Sequence, residues 1–147
     1  MERDPGVAHE LRVQLISLEV RSSSDFDSAF ETALREHAQA LIAAPEPLIN
    51  THLKRIVEFA AKNRLPAMYG APEVMNTGGL MSYSPSYTYQ YRRAATYVDK
   101  ILKGAKPSDL PVEQPKNFQF MLNLKTAKEI RLTIPPNVLA RADRVIE

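Results

Sequence analysis

The chain has 147 residues, of which 44% are hydrophobic and 24% are charged. This length suffices for one buried core and excludes two complete α/β domains. The 19 Lys and Arg residues are scattered among 17 Asp and Glu residues without a basic run, so no nucleic-acid partner is expected. The absence of cysteine excludes disulfides and thiolate metal sites.

The N-terminal residues do not resemble a targeting signal. Acidic residues and a proline stand in residues 1–7, where a signal peptide needs a basic start and then an apolar run. No stretch approaches the length of a membrane span. Expressed as written, the chain is expected to be soluble and cytoplasmic.

The first half of the chain alternates predicted strands and helices. A run rich in β-branched residues over residues 11–20 predicts the first strand. Ser24 and Asp27 have the spacing of a capping box and predict the start of a helix. A second helix is predicted from Asn50 or Thr51 to Asn63, and further strands at residues 40–44 and 65–69. This alternation predicts right-handed βαβ units and a parallel sheet.

The second half of the chain adds two further strands. The predicted elements are a helical turn at residues 72–76, a strand at 80–83, an amphipathic helix at 91–102, a strand at 118–122, a short helix at 124–130 and a final turn after Pro135-Pro136. Tyr91 is placed on the buried stripe of its helix, which Gly104 ends as a left-handed C-cap. Asn123 is predicted to cap the short helix. Three prolines in residues 105–115 indicate an ordered, extended connection.

Several motifs of the chain occur in one characteristic order. They are Gly78-Gly79-Leu80-Met81-Ser82-Tyr83, Tyr97-Val98-Asp99-Lys100-Ile101-Leu102-Lys103-Gly104, Leu110-Pro111-Val112-Glu113-Gln114-Pro115, Asn123-Leu124-Lys125-Thr126-Ala127 and Leu132-Thr133-Ile134-Pro135-Pro136. This order resembles the C-terminal half of the substrate-binding components of ABC-type importers, including tryptophan-binding-like members. The resemblance implies an α/β fold, namely a truncated lobe of a type I periplasmic binding protein. Such proteins hold the ligand between two doubly wound lobes.

The resemblance also implies how the chain is divided. Residues 1–10 are expected to be a tail, and residues 11–147 the C-terminal lobe with its crossing segments, while residues 79–104 are expected to belong to the other lobe. The first strand and helix of the C-terminal lobe precede Leu11 in full-length members. We therefore expect an unpaired strand edge, and a homodimer that completes the sheet in trans. Ser84 and Arg131 stand where the family usually has glycine, and a left-handed Arg131 costs about 1 kcal/mol.

Ligands of open parallel sheets bind beyond the carboxyl ends of the strands. The candidate residues at these ends are Arg21, Ser22, Pro45, Glu46, Pro47, Tyr69, Gly70, Tyr83 and Ser84. The two tyrosines either stack on a planar ligand or cover the core. Glu46 either accepts a hydrogen bond from a ligand amino group or is a solvated carboxylate. Arg21 and Ser22 either hold a ligand carboxylate near a helix N-terminus or only cap that helix.

The leading functional hypothesis is a non-enzymatic solute-binding component of an ABC importer. Its ligand would be a small planar or amino-acid-like molecule, bound by lobe closure, and its partner an ABC permease. The family works in the periplasm. With one lobe only, weak or no binding is expected. The alternative is a cytoplasmic α/β effector-binding or interaction module; an enzyme ranks third because no catalytic group converges. The three histidines lack metal-site spacing, so neither metal nor cofactor is expected.

Overall fold

The computed structural model describes residues 5–147, so the first four residues of the predicted tail lie outside it. The α-helices are α1 (Pro5–Glu10), α2 (Asp25–Arg35), α3 (Pro47–Thr51), α4 (Leu53–Lys62), α5 (Tyr87–Leu102), α6 (Leu124–Glu129) and α7 (Pro136–Leu139). The strands are β1 (Leu41–Ala43), β2 (Ala67–Tyr69), β3 (Met81–Pro85), β4 (Phe118–Asn123) and β5 (Arg144–Ile146). Two 3-10 helices cover Pro72–Thr77 and Pro107–Asp109. None of the helices in this part of the chain is long and apolar enough to cross a membrane.

The five strands form one sheet in the order β1-β2-β3-β4-β5. β1, β2 and β3 are mutually parallel, and β5 is parallel to β4. β4 runs antiparallel to β3, because the chain leaves the sheet at the carboxyl end of β3 and re-enters it beside that same end. The predicted α/β class with a largely parallel sheet is therefore confirmed.

The predicted first strand over residues 11–20 is wrong. Residues 13–20 are extended, but they pair with no strand in the part of the chain that the structure describes. Val13 and Leu15 are 53% and 58% exposed. An apolar, β-branched run has the propensity for a strand, but a strand forms only where a neighbouring backbone supplies its hydrogen bonds.

Helix starts and faces also differ from the predictions. Ser24 precedes α2 without making a side-chain cap, and instead the Asp25 carboxylate accepts the amides of Arg21 and Ser22. α4 begins at Leu53, after the short helix α3. Tyr91, predicted to be buried, is 77% exposed, and no residue of α5 is buried. Within the described residues, no element packs on the apolar stripe of α5 closely enough to bury it.

The main core lies on one face of the sheet. Phe26 of α2 and Ile56 of α4 pack with Tyr69 of β2 and Met121 of β4 in this cluster. A smaller cluster of Leu80, Ala127 and Ile130 lies beside it, and Leu80 and Ile130 face Val57 and Tyr69 of the main core across a small cavity. Side chains alternate between the two faces along a strand, so Ile42 of β1 points to the opposite face and is 74% exposed.

Five helices end in the same hydrogen-bonded motif. In α6 the amide of Leu132 donates to the Ala127 carbonyl (2.8 Å) and the amide of Arg131 to Lys128 (3.1 Å), which is the Schellman arrangement. Arg131 adopts the left-handed φ of 61° that this motif needs, as expected. The same position after α1, α2, α4 and α5 is occupied by Arg12, His37, Arg64 and Gly104. Only the last is the glycine that favours this conformation.

Replacing Arg131 by glycine should stabilise the protein. The change relieves a left-handed side chain that costs about 1 kcal/mol, so R131G should raise the free energy of unfolding by somewhat less than that, because glycine also gains freedom in the unfolded chain. Urea denaturation measures the difference. The control is K128G, at an exposed position one turn earlier in α6, which should cost about 1 kcal/mol. A loss of stability in R131G would contradict the prediction.

Candidate functional site

The carboxyl ends of β1, β2 and β3 meet at one edge of the sheet, here called the carboxyl edge. It is built from the segments that follow these strands, at residues 44–47, 69–71 and 83–85. The first two segments touch directly. The amide of Gly70 donates to the Ala43 carbonyl (3.1 Å), and a Cβ atom on Gly70 would lie 2.7 Å from Cδ of Pro45. Only glycine therefore fits against the Pro45 ring.

A stacked aromatic pair stands at the third segment. The rings of Tyr83 and Phe118 are 5.3 Å apart with an interplanar angle of 11°, and they are 51% and 43% exposed. Phe118 was not among the predicted site residues. It reaches the carboxyl edge because β4 is antiparallel to β3, which sets Phe118 opposite Pro85. A fully parallel sheet would have placed the start of β4 at the other edge.

Tyr69 is part of the core. It is 1% exposed and packs in the main hydrophobic cluster, and burial raises the pKa of its hydroxyl well above the usual range. Its register partner on β3 is Ser82, so Tyr69 and Tyr83 lie on opposite faces of the sheet. Of the two roles considered for Tyr69, the structure shows the core role.

Glu46 carries a free carboxylate at the carboxyl edge. Its backbone is extended and precedes α3 as the N-cap, and its carbonyl accepts the amide of Asn50 at 2.8 Å. Its side chain is exposed and makes no hydrogen bond or ion pair within residues 5–147. Pro45 and Pro47 restrict the backbone on either side. The loop therefore presents a negative charge to the solvent in a fixed place.

Arg21 and Ser22 are already engaged with Asp25. Their amides donate to one oxygen of its carboxylate, at 2.9 and 2.8 Å. These bonds, that of the Arg21 amide first, lower the pKa of Asp25. The Arg21 side chain is 85% exposed and pairs with Glu19 at 3.0 Å. An anionic ligand at this helix start would have to displace the Asp25 carboxylate.

A larger groove lies away from the carboxyl edge. Between α5 and the proline-rich segment 107–116 it encloses about 470 Å³. The Arg93 guanidinium donates two hydrogen bonds to the Glu113 carboxylate, one of them 2.8 Å long, and the Tyr97 hydroxyl donates to the Pro111 carbonyl at 2.7 Å. None of the predicted site residues lines this groove. Its Arg93, Glu113 and Tyr97 side chains are already engaged, whereas the carboxyl edge presents the uncommitted Glu46 carboxylate, so the carboxyl edge is taken as the candidate site.

The comparisons with known proteins concern the family and the fold of the chain. A family model described as "ABC transporter substrate binding protein" matches residues 6–146. The chain belongs to this family. Proteins of the substrate-binding family normally act in the periplasm or outside the cell, which favours the leading hypothesis over the cytoplasmic module. No curated protein matches the chain.

Solved structures of similar fold are about twice as long. A conserved domain protein from Vibrio cholerae is 25% identical with a TM-score of 0.82, over 94% of this chain and 46% of that one. An ABC domain in complex with L-Trp from Streptococcus pneumoniae has the same identity and TM-score, over 95% and 48%. A ligand-free, open substrate-binding protein from Clostridium difficile is 16% identical with a TM-score of 0.69, over 97% and 47%. The chain thus spans about half the length of these structures.

Two serines of β3 are buried without hydrogen-bond partners. Ser82 and Ser84 are both 0% exposed, and neither hydroxyl oxygen has a partner within the described residues. They share the core face of β3, two residues apart. The hydroxyl of Ser84 adds a desolvated polar group to the core.

Replacing Ser84 by alanine should stabilise the protein. Removing an unpaired buried hydroxyl relieves a desolvation penalty, so S84A should raise the free energy of unfolding by about 1 kcal/mol. Urea denaturation of S84A and of the original chain measures this. The control S23A changes an exposed serine whose hydroxyl makes no hydrogen bond, and should stay within about 0.5 kcal/mol. A destabilised S84A would show that the hydroxyl has a partner in solution.

The Arg93–Glu113 pair should hold segment 107–116 on α5 in a pH-dependent way. The hydrogen bonds from Arg93 lower the pKa of Glu113 from an ordinary 4.5 to about 2. Because this pKa is depressed in the folded chain, the stabilisation is complete above pH 4.5 and is lost as the pH falls towards 2. NMR of the Arg93 Nε proton should follow this loss.

At neutral pH the same pair can be removed by E113Q. Amide exchange in residues 107–116 should become several-fold faster, because a neutral amide cannot replace the charged hydrogen bonds. D109N is the matched control, since the Asp109 carboxylate contacts only Ser108 within the described residues. Equal exchange in both variants would mean that other contacts hold the segment.

Proposed function

We propose that the chain forms one wall of the ligand cleft of an ABC importer substrate-binding protein. The ligand is a small planar or amino-acid-like molecule, bound at the carboxyl edge without chemical conversion. The Tyr83–Phe118 pair is the observation that carries this proposal. Its two rings stack on each other and about half of each is exposed, so the pair does not serve to cover the core. A family match over residues 6–146 supports it independently.

The carboxyl edge offers two kinds of contact to such a ligand. The Tyr83–Phe118 pair provides an apolar, planar surface for a ring. The unpaired carboxylate of Glu46 accepts hydrogen bonds from an ammonium group. Glu46 follows β1 and Tyr83 lies on β3, whose backbones are two strand spacings apart, roughly 10 Å, and in this proposal the ligand lies between these two segments. The L-Trp in the Streptococcus pneumoniae structure supports an amino acid as the ligand class.

Binding by lobe closure requires a second wall. In this proposal ligand contacts on both walls stabilise the closed state, and the loaded protein delivers the ligand to an ABC permease. The excursion that starts with α5 belongs to the other lobe. Its two ends lie side by side, since the Ser86 amide donates to the Asn117 carbonyl at 2.8 Å, and α5 buries no residue. β3 itself lies in the sheet, so only the part of residues 79–104 from Tyr87 onwards fits this assignment.

The free edge of β1 supports the expected homodimer. Among residues 5–147, β1 has a strand neighbour on one side only, and an unpaired edge is a template for a further strand. In the proposed dimer a second copy of the chain completes the sheet.

A titration with L-tryptophan tests the proposed ligand site. The chain contains no tryptophan, so the fluorescence of the ligand is observed without an indole background. We expect weak binding to the single wall, with a dissociation constant on the order of 1 mM. Y83A should weaken binding about fivefold, because it removes a stacking contact of about 1 kcal/mol.

The control for this titration is Y91A, because Tyr91 is 77% exposed on α5 and is not part of the carboxyl edge. Its dissociation constant should equal that of the original chain. The proposal fails if the protein binds none of L-tryptophan, L-phenylalanine and L-tyrosine. If Y83A and Y91A raise the dissociation constant equally, the carboxyl edge is not the binding site.

A further inference from the structure

The carboxyl edge offers few hydrogen-bond donors to a ligand. Its three segments contain no Lys, Arg or His, and one acidic residue, Glu46. Residues 45, 47 and 85 are prolines, which have no N–H group. The amides of Glu46 and Gly70 already donate to the carbonyls of Ala44 (2.8 Å) and Ala43 (3.1 Å). These segments therefore present little that could hold a negatively charged group.

The groups beside the carboxyl edge that could hold an anion are occupied by acids of the chain itself. The amides of Arg21 and Ser22 donate to the Asp25 carboxylate at 2.9 and 2.8 Å. The Arg55 guanidinium of α4 pairs with the Asp27 carboxylate. A ligand carboxylate would have to displace one of these side chains. Such a displacement exchanges one carboxylate for another, so it contributes little to the affinity.

The charged group that the three segments leave uncommitted is negative. The Glu46 side chain is exposed and makes no hydrogen bond or ion pair within residues 5–147. The hydroxyl-bearing side chains of Tyr69 and Ser84 are buried, and Lys116 lines the groove beside α5 together with Glu113. A ligand ammonium group is attracted to the Glu46 carboxylate, whereas a ligand carboxylate is repelled by it.

We propose that the carboxyl edge recognises an aromatic ring joined to an ammonium group, and that it does not recognise the carboxylate of an amino acid. The ligand class that this wall selects is then an aromatic amine. An aromatic amino acid binds here through its ring and its ammonium group, and its carboxylate has to be held by the second wall. This inference rests on the proposed function and narrows its ligand.

The test compares three ligands that share one indole ring and differ in charge. L-tryptophan carries both charged groups, tryptamine carries the ammonium group alone, and indole-3-propionate carries the carboxylate alone. The chain contains no tryptophan, so the same indole fluorescence reports on all three. Tryptamine should bind about threefold more tightly than L-tryptophan, and indole-3-propionate about threefold more weakly, which is the factor that an exposed pair of charges contributes.

The variant E46Q should bind the three indoles with equal dissociation constants, because the neutral amide neither attracts the ammonium group nor repels the carboxylate. The matched control is E129Q, which removes the same charge from the chain. Glu129 is exposed at the end of α6, and α6 follows β4 at the opposite edge of the sheet. E129Q should keep the threefold preference for tryptamine.

The outcomes separate this inference from the proposed function. If none of the three indoles binds, both are overturned. If L-tryptophan binds as tightly as tryptamine or more tightly, the carboxylate has a partner at the carboxyl edge, and this inference alone is overturned. A preference for tryptamine that E46Q retains would show that Glu46 does not hold the ammonium group, and would also overturn it.

Discussion

The antiparallel pairing of β3 with β4 is the contact on which the arrangement of this chain depends. It extends from Met81 opposite Leu122 to Pro85 opposite Phe118. The chain therefore leaves the sheet and returns to it at neighbouring points, and everything between residues 86 and 117 is an excursion beyond one edge. The same pairing sets Phe118 beside Tyr83. With a parallel β4, neither the excursion nor the aromatic pair would lie at the carboxyl edge.

Local sequence patterns predicted most of the helices and strands. The predictions failed where an element depends on packing or pairing with residues distant in sequence. The left-handed Gly104 after α5 and the Asn123 cap of α6 follow from residues within one turn of each other. Residues 11–20 have equally strong local signals for a strand, but a strand requires a second backbone beside it. The apolar stripe of α5 is likewise a local pattern, and its burial depends on a surface that the described residues do not provide.

The rule that ligands bind at the carboxyl ends of parallel strands predicts the edge of the sheet where a ligand would bind, but not which side chains are exposed there. Pro45, Glu46, Gly70 and Tyr83 follow from it directly. Tyr69 and Tyr83 end neighbouring strands and look equivalent in sequence, yet Tyr69 pairs in register with Ser82. That offset of one residue turns the two rings to opposite faces. Register and strand direction are set by contacts distant in sequence, so neither this difference nor the role of Phe118 was predictable.

Besides the apolar stripe of α5, the described residues leave unsatisfied surface at the carboxyl edge and at the free edge of β1, and these two surfaces require different partners. The half-exposed rings at the carboxyl edge tolerate contact with water at little cost in free energy. They can stack on many planar molecules, because stacking makes few demands on the chemistry of the partner. Unpaired backbone groups at the free edge of β1 accept only an extended strand in one register. A net gain of about 1 kcal/mol for each backbone hydrogen bond is small, so strand pairing at a three-residue edge stabilises a dimer only if apolar side chains such as Ile42 are buried with it. Burial of the exposed apolar side chains beside the free edge therefore determines whether a further strand is added to the sheet. The unpaired backbone groups of that edge determine that only an extended strand can be added.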